Sequence, residues 1–393
     1  MSMPKKWFGA VTVLALCAAG APAEMDAPAK VIPLKGKAAA VSALLVVDLE
    51  GADMAGFSQA LSANAIETGT RLPMGYRFNQ DVGPDMTRAL DSAVRGLQLR
   101  HGAWPRGQSV EFTFREKYSP KDGPSAATAC ALILDSLITG EALDETFAVT
   151  GDMNSDLTVQ PVGGVPSKIR GAAKGGSKVV AIPKANIRDV EDMVVLDGFG
   201  AVGNTQIFSI ATFDEARALA VKERNDDVKG SIEDFAKLQS GQVKLRTPEG
   251  KALIEGILRK TPNHLSADLL RRLQAGKAPA RLSLVGSIDI VRRTSAPFFN
   301  AIAEDRADTI KGPAFEKAMT TLTGLGNKID PKVGPYHSAM VEFLTFTRRY
   351  VDKDITNRTD FTRFREDLQK RITRVNEEWK KLLRDPAVVE AIK

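Results

Sequence analysis

Pro120-Lys121-Asp122-Gly123-Pro124-Ser125-Ala126, then Thr150-Gly151-Asp152, then Pro161-Val162-Gly163-Gly164-Val165-Pro166-Ser167-Lys168, is the stretch on which the reading of this chain turns. A serine in a glycine- and proline-rich turn, directly before an apolar helix, is held in place with its hydroxyl uncovered. Lys168 opens a second helix. If the two side chains meet, the lysine can take the serine proton and make a nucleophile without any histidine. Taken singly, Ser125 would more often be a helix N-cap and Lys168 a solvated helix residue. Their joint occurrence with Thr150 and two glycine turns favours the chemical reading.

Working outward, Val41 to Leu49 is a short valine- and leucine-rich run expected to be a buried strand. Residues 51–77 show no clear period and suggest a loop with a short helix, with strand character resuming at Gly75 to Phe78. Met86, Leu90, Val94 and Leu97 recur at helical spacing after Pro84. Val110, Phe112 and Phe114 alternate with polar residues, as in a half-buried strand that leads into the Ser125 turn. Residues 126–139 are nearly all apolar or small and predict a buried helix ended by Gly140. Beyond it, strands are expected at 147–150, 157–162, 178–182 and 206–210, and helices from Pro166 to Lys174, at 189–196 and at 213–221. This alternation predicts an α/β (α+β) domain over residues 41–225.

From about residue 228 the texture changes to helix-like segments at 252–258, 267–273, 282–291, 298–302, 315–322 and 339–346. Phe361, Phe364, Leu368, Ile372, Val375, Trp379 and Leu382 then step along one helical face. Residues 228–393 are therefore expected to form an all-α helical domain, a bundle or a degenerate repeat array, with no catalytic constellation of its own.

With 393 residues, 26% charged and 43% hydrophobic, the chain can hold two domains with separate cores. Lys5 and Lys6 precede an apolar run from Trp7 to about Ala19, and Ala21-Pro22-Ala23 offers a small-x-small cleavage pattern. Residues 1–23 thus read as a secretory signal, too short to span a bilayer, and 24–40 as a linker. An uncleaved anchor and lipidation at Cys17 are the alternatives; Leu16 stands where a lipoprotein signal would have a small residue. Removal of the two signal lysines lowers the formal charge from +6 to +4, with no run of like charges, so neither nucleic acid nor a polybasic lipid contact is expected. Cys130 is then the sole cysteine and reads as a small buried hydrophobe. His101, His264 and His337 are scattered, so no metal and no cofactor is assigned, and a triad of Ser125 with His101 lacks spacing support. Asn357-Arg358-Thr359 matches a glycosylation sequon, a pattern common by chance.

The Ser125 turn, the Thr150 strand end and the Lys168 loop and helix together resemble the proteolytic domain of the Lon protease family. The spacing agrees, with 25 residues from Ser125 to Thr150 and 18 from Thr150 to Lys168. Ile182-Pro183-Lys184-Ala185-Asn186 also looks like the family's strand and P-x-x-N turn. The resemblance covers roughly residues 41–222. It implies Ser125 as nucleophile, Lys168 as general base, Thr150 as the group that orients the amine, and backbone N–H groups at Asp122, Gly123 and Ser125 as the oxyanion hole. It further implies polypeptide substrates and a homo-oligomeric ring, hexameric in relatives. The chain departs from the pattern at Ala127, where glycine is usual, at Glu111 and Thr113, where histidines are frequent, and at Asp152, usually glutamate. No G-x-x-x-x-G-K-[ST] loop occurs in these residues, so the expected activity is an ATP-independent serine endopeptidase in a bacterial periplasm or outside the cell. The competing expectation is a degenerate relative that binds or assembles polypeptides without cutting them.

Overall fold

The computed structural model describes residues 32–48, 54–116, 122–304, 306, 309–351 and 358–392. The signal segment, residues 24–31 of the linker, Cys17 and Asn357 of the sequon lie outside them. Among the described residues no helix is long and apolar enough to cross a membrane.

A mixed seven-stranded sheet organises the first half, in the order β3-β4-β2-β1-β5-β8-β9. Its strands are β1 (Ala38–Asp48), β2 (Met54–Glu67), β3 (Gly75–Phe78), β4 (Gln108–Phe114), β5 (Phe147–Val149), β8 (Val179–Pro183) and β9 (Gln206–Ile210). A two-stranded ribbon, β6 (Asp152–Met153) with β7 (Val159–Gln160), stands beside it. Strands β1, β5, β8 and β9 run parallel and carry near-continuous apolar sequence, because helices cover both of their faces. One face packs on α1 (Pro84–His101), α2 (Ala127–Thr139) and α6 (Phe213–Ala220), and buries Ala43, Phe147, Val149, Ala181 and Phe208. The other face packs on α3 (Val165–Lys174) and α4 (Ile187–Asp197), and buries Leu44, Ala148, Val180, Ile182 and Ile207. Each strand contributes alternate residues to the two cores, as the period of 2 requires.

The sequence reading of residues 51–77 is corrected here: β2 is a long strand that pairs antiparallel with all of β1, from Ala38 opposite Asn64 to Asp48 opposite Met54. Its period was masked by small and polar residues, and the fold requires them. A Cβ on Gly56 would lie 1.8 Å from the Ser167 carbonyl oxygen, and one on Gly171 would lie 2.3 Å from Gly56 C. Helix α3 therefore rests directly on the β2 backbone. The strand expected at 157–162 shrinks to β7. Asp156 Oδ1 accepts hydrogen bonds from Thr158 N and Oγ1, Leu157 adopts a left-handed φ of 66°, and Pro161 has no N–H to donate.

The second half is helical: α7 (Asp226–Gln239), α8 (Pro248–Lys260), α9 (Leu265–Gln274), α10 (Leu284–Ala303), α11 (Gly312–Leu325), α12 (Gly334–Val351), α13 (Arg358–Arg384) and α14 (Pro386–Ile392), with a single short turn, α5 (Gly200–Gly203), preceding β9. Helix α7 went unforeseen because its sequence is mostly polar; Asn225 caps it by accepting from Val228 N. The two segments expected at 282–291 and 298–302 form one helix that runs through Pro297.

Helices α7–α9 complete the sheet. Phe208 and Phe235 pack on the His264 ring at 4.2 and 4.6 Å. The outer N–H groups of β9 are satisfied by this layer, Ile207 N donating to Ser266 Oγ at 3.0 Å and Ser209 N to the Asn263 carbonyl at 2.9 Å. Burial pushes the His264 pKa down to about 3, so this histidine is a neutral packing residue. Helices α10–α14 share a separate core around Val291, Phe315, Leu322, Phe343 and Val388. That core joins the sheet domain at α4, where Asp192 accepts hydrogen bonds from Ser283 N and Oγ, both at 2.6 Å.

Gly56→Ala is expected to force α3 off β2, because its new methyl meets rigid backbone. Overpacking of this kind costs about 3 kcal/mol. A drop of several degrees in the thermal midpoint, beside a solvent-facing control such as Ala60→Ser, would bear this out; an unchanged midpoint would refute it.

Candidate active site

The site is built from three loop ends at the edge of α2 and α3. Pro124–Ala126 form a 3-10 turn that leads into α2, preceded by Gly123 at φ 93°. Ser125 is half-buried on this turn, and Ala126 behind it is fully buried. The Ser125 carbonyl is held twice, by Gly151 N at 3.0 Å and by Thr150 Oγ1 at 3.2 Å. Thr128, the second residue of α2, returns the contact by donating from N and Oγ1 to the Gly151 carbonyl, at 3.1 and 3.0 Å. A Cβ on Gly151 would sit 2.7 Å from Val159 Cγ1 and 2.8 Å from Thr128 Oγ1, so only glycine fits between β6–β7 and α2.

Helix α3 is launched by Gly164, whose φ of 70° makes a left-handed turn that Pro166 then fixes into helix. The preceding loop is clamped by Asn186, which accepts from Val162 N at 3.0 Å and donates to the Val162 carbonyl at 2.9 Å. The P-x-x-N turn noted in the sequence is thus the brace for the Lys168 loop. Lys168, only 2% exposed, points inward from the first turn of α3 and donates to Thr150 Oγ1 at 3.1 Å. Among the described residues it forms no ion pair. Burial, beside the Val165 and Ile169 cluster, pushes its pKa down from 10.5 to about 8.

The structure therefore gathers Ser125, Thr150 and Lys168. Thr150 is the hinge of the group, touching the serine through its carbonyl and the lysine through its amine. No direct hydrogen bond joins Ser125 Oγ to Lys168 Nζ in this conformation. Of the expected oxyanion donors, Gly123 N is engaged by Asp122 Oδ1 at 2.8 Å, and the same oxygen accepts from Asp85 N at the start of α1. Ala127 buries its methyl in the core between α1 and α2. Glu111 pairs with Arg77 on the sheet surface. Asp152 accepts from Met153 N, and burial holds its carboxyl above the usual range.

The other singled-out groups lie elsewhere. His101 ends α1 and bonds Asp135 at 2.9 Å, well along α2 from Ser125, while His337 bonds the Leu322 carbonyl in the helical bundle. Buried Cys130 has its thiol pushed upward by desolvation, out of nucleophilic range. Thr128 was overlooked; the one hydroxyl in the apolar first two turns of α2, three residues after Ser125, was the available signal.

Residues 105–197 match the family described as Lon protease (S16) C-terminal proteolytic domain, an interval that contains Ser125, Thr150 and Lys168. Over this interval the sheet and its flanking helices are similar to a Lon-type proteolytic domain. Among curated proteins, the chain is 27% identical over 171 residues to the Lon protease of Haemophilus influenzae, covering 42% of this chain and 21% of that protein. It is 44% identical over 75 residues to the Lon protease of Methanosarcina barkeri (19% of this chain, 9% of that one). It is 36% identical over 107 residues to that of Vibrio parahaemolyticus (27% and 13%). The chain thus spans about a fifth or less of the length of these relatives.

Holding Lys168 in a dry site has a stability signature. Below about pH 8 both folded and unfolded states carry its proton, and the full burial penalty of ~3 kcal/mol weighs on the fold. Between about 8 and 10.5 the folded state gives up the proton first, so the penalty fades as pH rises. Lys168→Met is expected to melt above the parent at pH 7, with the gap closing toward pH 10.5. Thermal melts across that range check it, and a gap independent of pH would contradict it.

Proposed function

We propose that the protein is a serine endopeptidase that cuts polypeptides with Ser125 and Lys168 and needs no ATP. The observation that carries this reading is a buried lysine with no carboxylate partner among the described residues, its amine fixed on Thr150 and its pKa brought to about 8. A structural lysine would be paired or solvated. A lysine poised near neutrality is suited to general-base work. Ser125 Oγ attacks the scissile carbonyl while Lys168 Nζ takes its proton. The resulting ammonium then protonates the leaving amine. Water attacks the acyl-enzyme in the reverse sense, with Lys168 again as base. Backbone N–H groups of the turn at Asp122, Gly123 and Ser125 stabilise the tetrahedral oxyanion, Gly123 exchanging its present acceptor, Asp122 Oδ1, for the substrate oxygen.

The reading includes export, carried by the charged and apolar run ahead of Ala23, and assembly into a ring, carried by likeness to the Lon proteases. A second reading is a domain that binds or assembles polypeptides without cutting them. It is favoured by the engaged Gly123 N and by the lack of a direct Ser125–Lys168 hydrogen bond.

Incubation with casein and a fluorogenic peptide, without ATP, separates the two. Cleavage is expected from the parent and a loss of at least about 10³-fold in Ser125→Ala and Lys168→Ala. Equal turnover in all three would exclude the dyad. The kcat/KM of the parent should rise with pH through an apparent pKa near 8, as Lys168 loses its proton. Thr150→Val should cost roughly 10- to 100-fold in kcat, and Thr150→Ser should recover most of it, because the hydroxyl alone orients the amine.

A further inference from the structure

Strand β2 runs on beyond its neighbour β4. The last register pair between them is Leu61 with Phe114, after which Arg115 N donates once more, to the Ala60 carbonyl at 3.1 Å. The part of β2 left uncovered borders a cleft of about 510 Å³, with Val47 and Phe57 as apolar lining and Arg115 and Glu116 as charged lining. Gln59 also lines this cleft. The residue is 5% exposed, and among the described residues neither Nε2 nor Oε1 has a hydrogen-bond partner. A buried primary amide with both ends empty is costly, and the fold offers it no compensation. Such a group calls for a ligand.

The strand that borders the cleft also borders the candidate active site. Gln59 stands on the face of β2 that also carries Leu61 and Ala63, which share a core with Ala126 behind Ser125. From the opposite face, Gly56 touches the Ser167–Lys168 backbone. The register runs from Gln59 to Ala43 and on to Val149, the neighbour of Thr150. Two strand spacings place Gln59 roughly 10 Å from that position, about three residues along an extended peptide.

We infer that Gln59 is a specificity-determining residue that selects substrates with a primary amide side chain, asparagine or glutamine, within about three residues of the scissile bond. The inference rests on the endopeptidase reading. The chemistry of the amide chooses the partner. A carboxylate would satisfy Nε2 only, an ammonium Oε1 only, and each would bury charge against a neutral group. An apolar side chain would satisfy neither. A second primary amide donates to Oε1 and accepts from Nε2 at once, satisfying both ends.

The test is peptide binding to the Ser125→Ala protein by fluorescence anisotropy. The peptide series places Asn, Gln, Leu, Asp or Lys at each position in turn. At one position Asn or Gln is expected to bind about ten-fold tighter than Leu, Asp or Lys. Adding Gln59→Met, which keeps the volume, should reverse that order in favour of Leu. Its thermal midpoint should be no lower, because an unpartnered amide is removed from the interior. Equal or unmeasurable affinities across the series, a preference that survives Gln59→Met, or a midpoint that falls by several degrees would each overturn the inference. Cleavage of the same peptides with Ser125 intact is scored separately. Amide-selective binding without Ser125-dependent cleavage defeats the endopeptidase reading alone, whereas cleavage without amide preference defeats the role of Gln59 alone.

Discussion

The contact between helix α3 and the backbone of β2 is the constraint on which the rest depends. Two glycines, Gly56 and Gly171, remove the side chains that would otherwise hold helix and strand apart. At that separation the first turn of α3 lies close against the sheet, and Lys168 is almost wholly buried. Its depressed pKa is thus a result of backbone packing, and no charged neighbour is needed to produce it. Geometry disfavours the charged form of the lysine, and Thr150 aims its amine.

Thr150 links the two halves of the site because it ends a central parallel strand. Its N–H remains in the sheet, donating to the Ala181 carbonyl at 3.1 Å, while its hydroxyl reaches out of it. The sheet therefore sets the position of the hydroxyl, and the hydroxyl sets both the Ser125 turn and the Lys168 amine. This fits the general rule for open α/β sheets, in which function gathers beyond the carboxyl ends of parallel strands. The Asn186 clamp and the Gly151–Thr128 contact are the supports that keep the two loops from drifting.

Much of this was legible in the sequence, for identifiable reasons. Strands β5, β8 and β9 and helix α2 are buried on all sides, so their apolar runs speak plainly. Ser125, Thr150 and Lys168 could be picked out because glycine and proline turns flank them at fixed separations. Strand β2 could not be read, since the same small residues that let α3 approach erase the alternation by which a strand is known. Leu157 in a left-handed turn shortened β7 in a way no periodicity shows. Gln59 was silent for another reason: a glutamine in a polar strand looks solvated, and only the fold reveals that it is buried without a partner. Helix α7 was missed because it turns only a few residues inward, among them Val228 and Phe235.

The layer formed by α7–α9 bears on where the catalytic half of the molecule ends as a folding unit. In sequence the α/β texture stops near residue 225, yet the last strand of the sheet takes its outer hydrogen bonds from Asn263 and Ser266. A truncation after α6 would leave β9 as a bare edge, with Phe208 stripped of its aromatic cover and its donors open to any other strand. The packing of the sheet extends through α9, so the helices that look like an appendage are, up to α9, the selvedge that covers the last strand's edge.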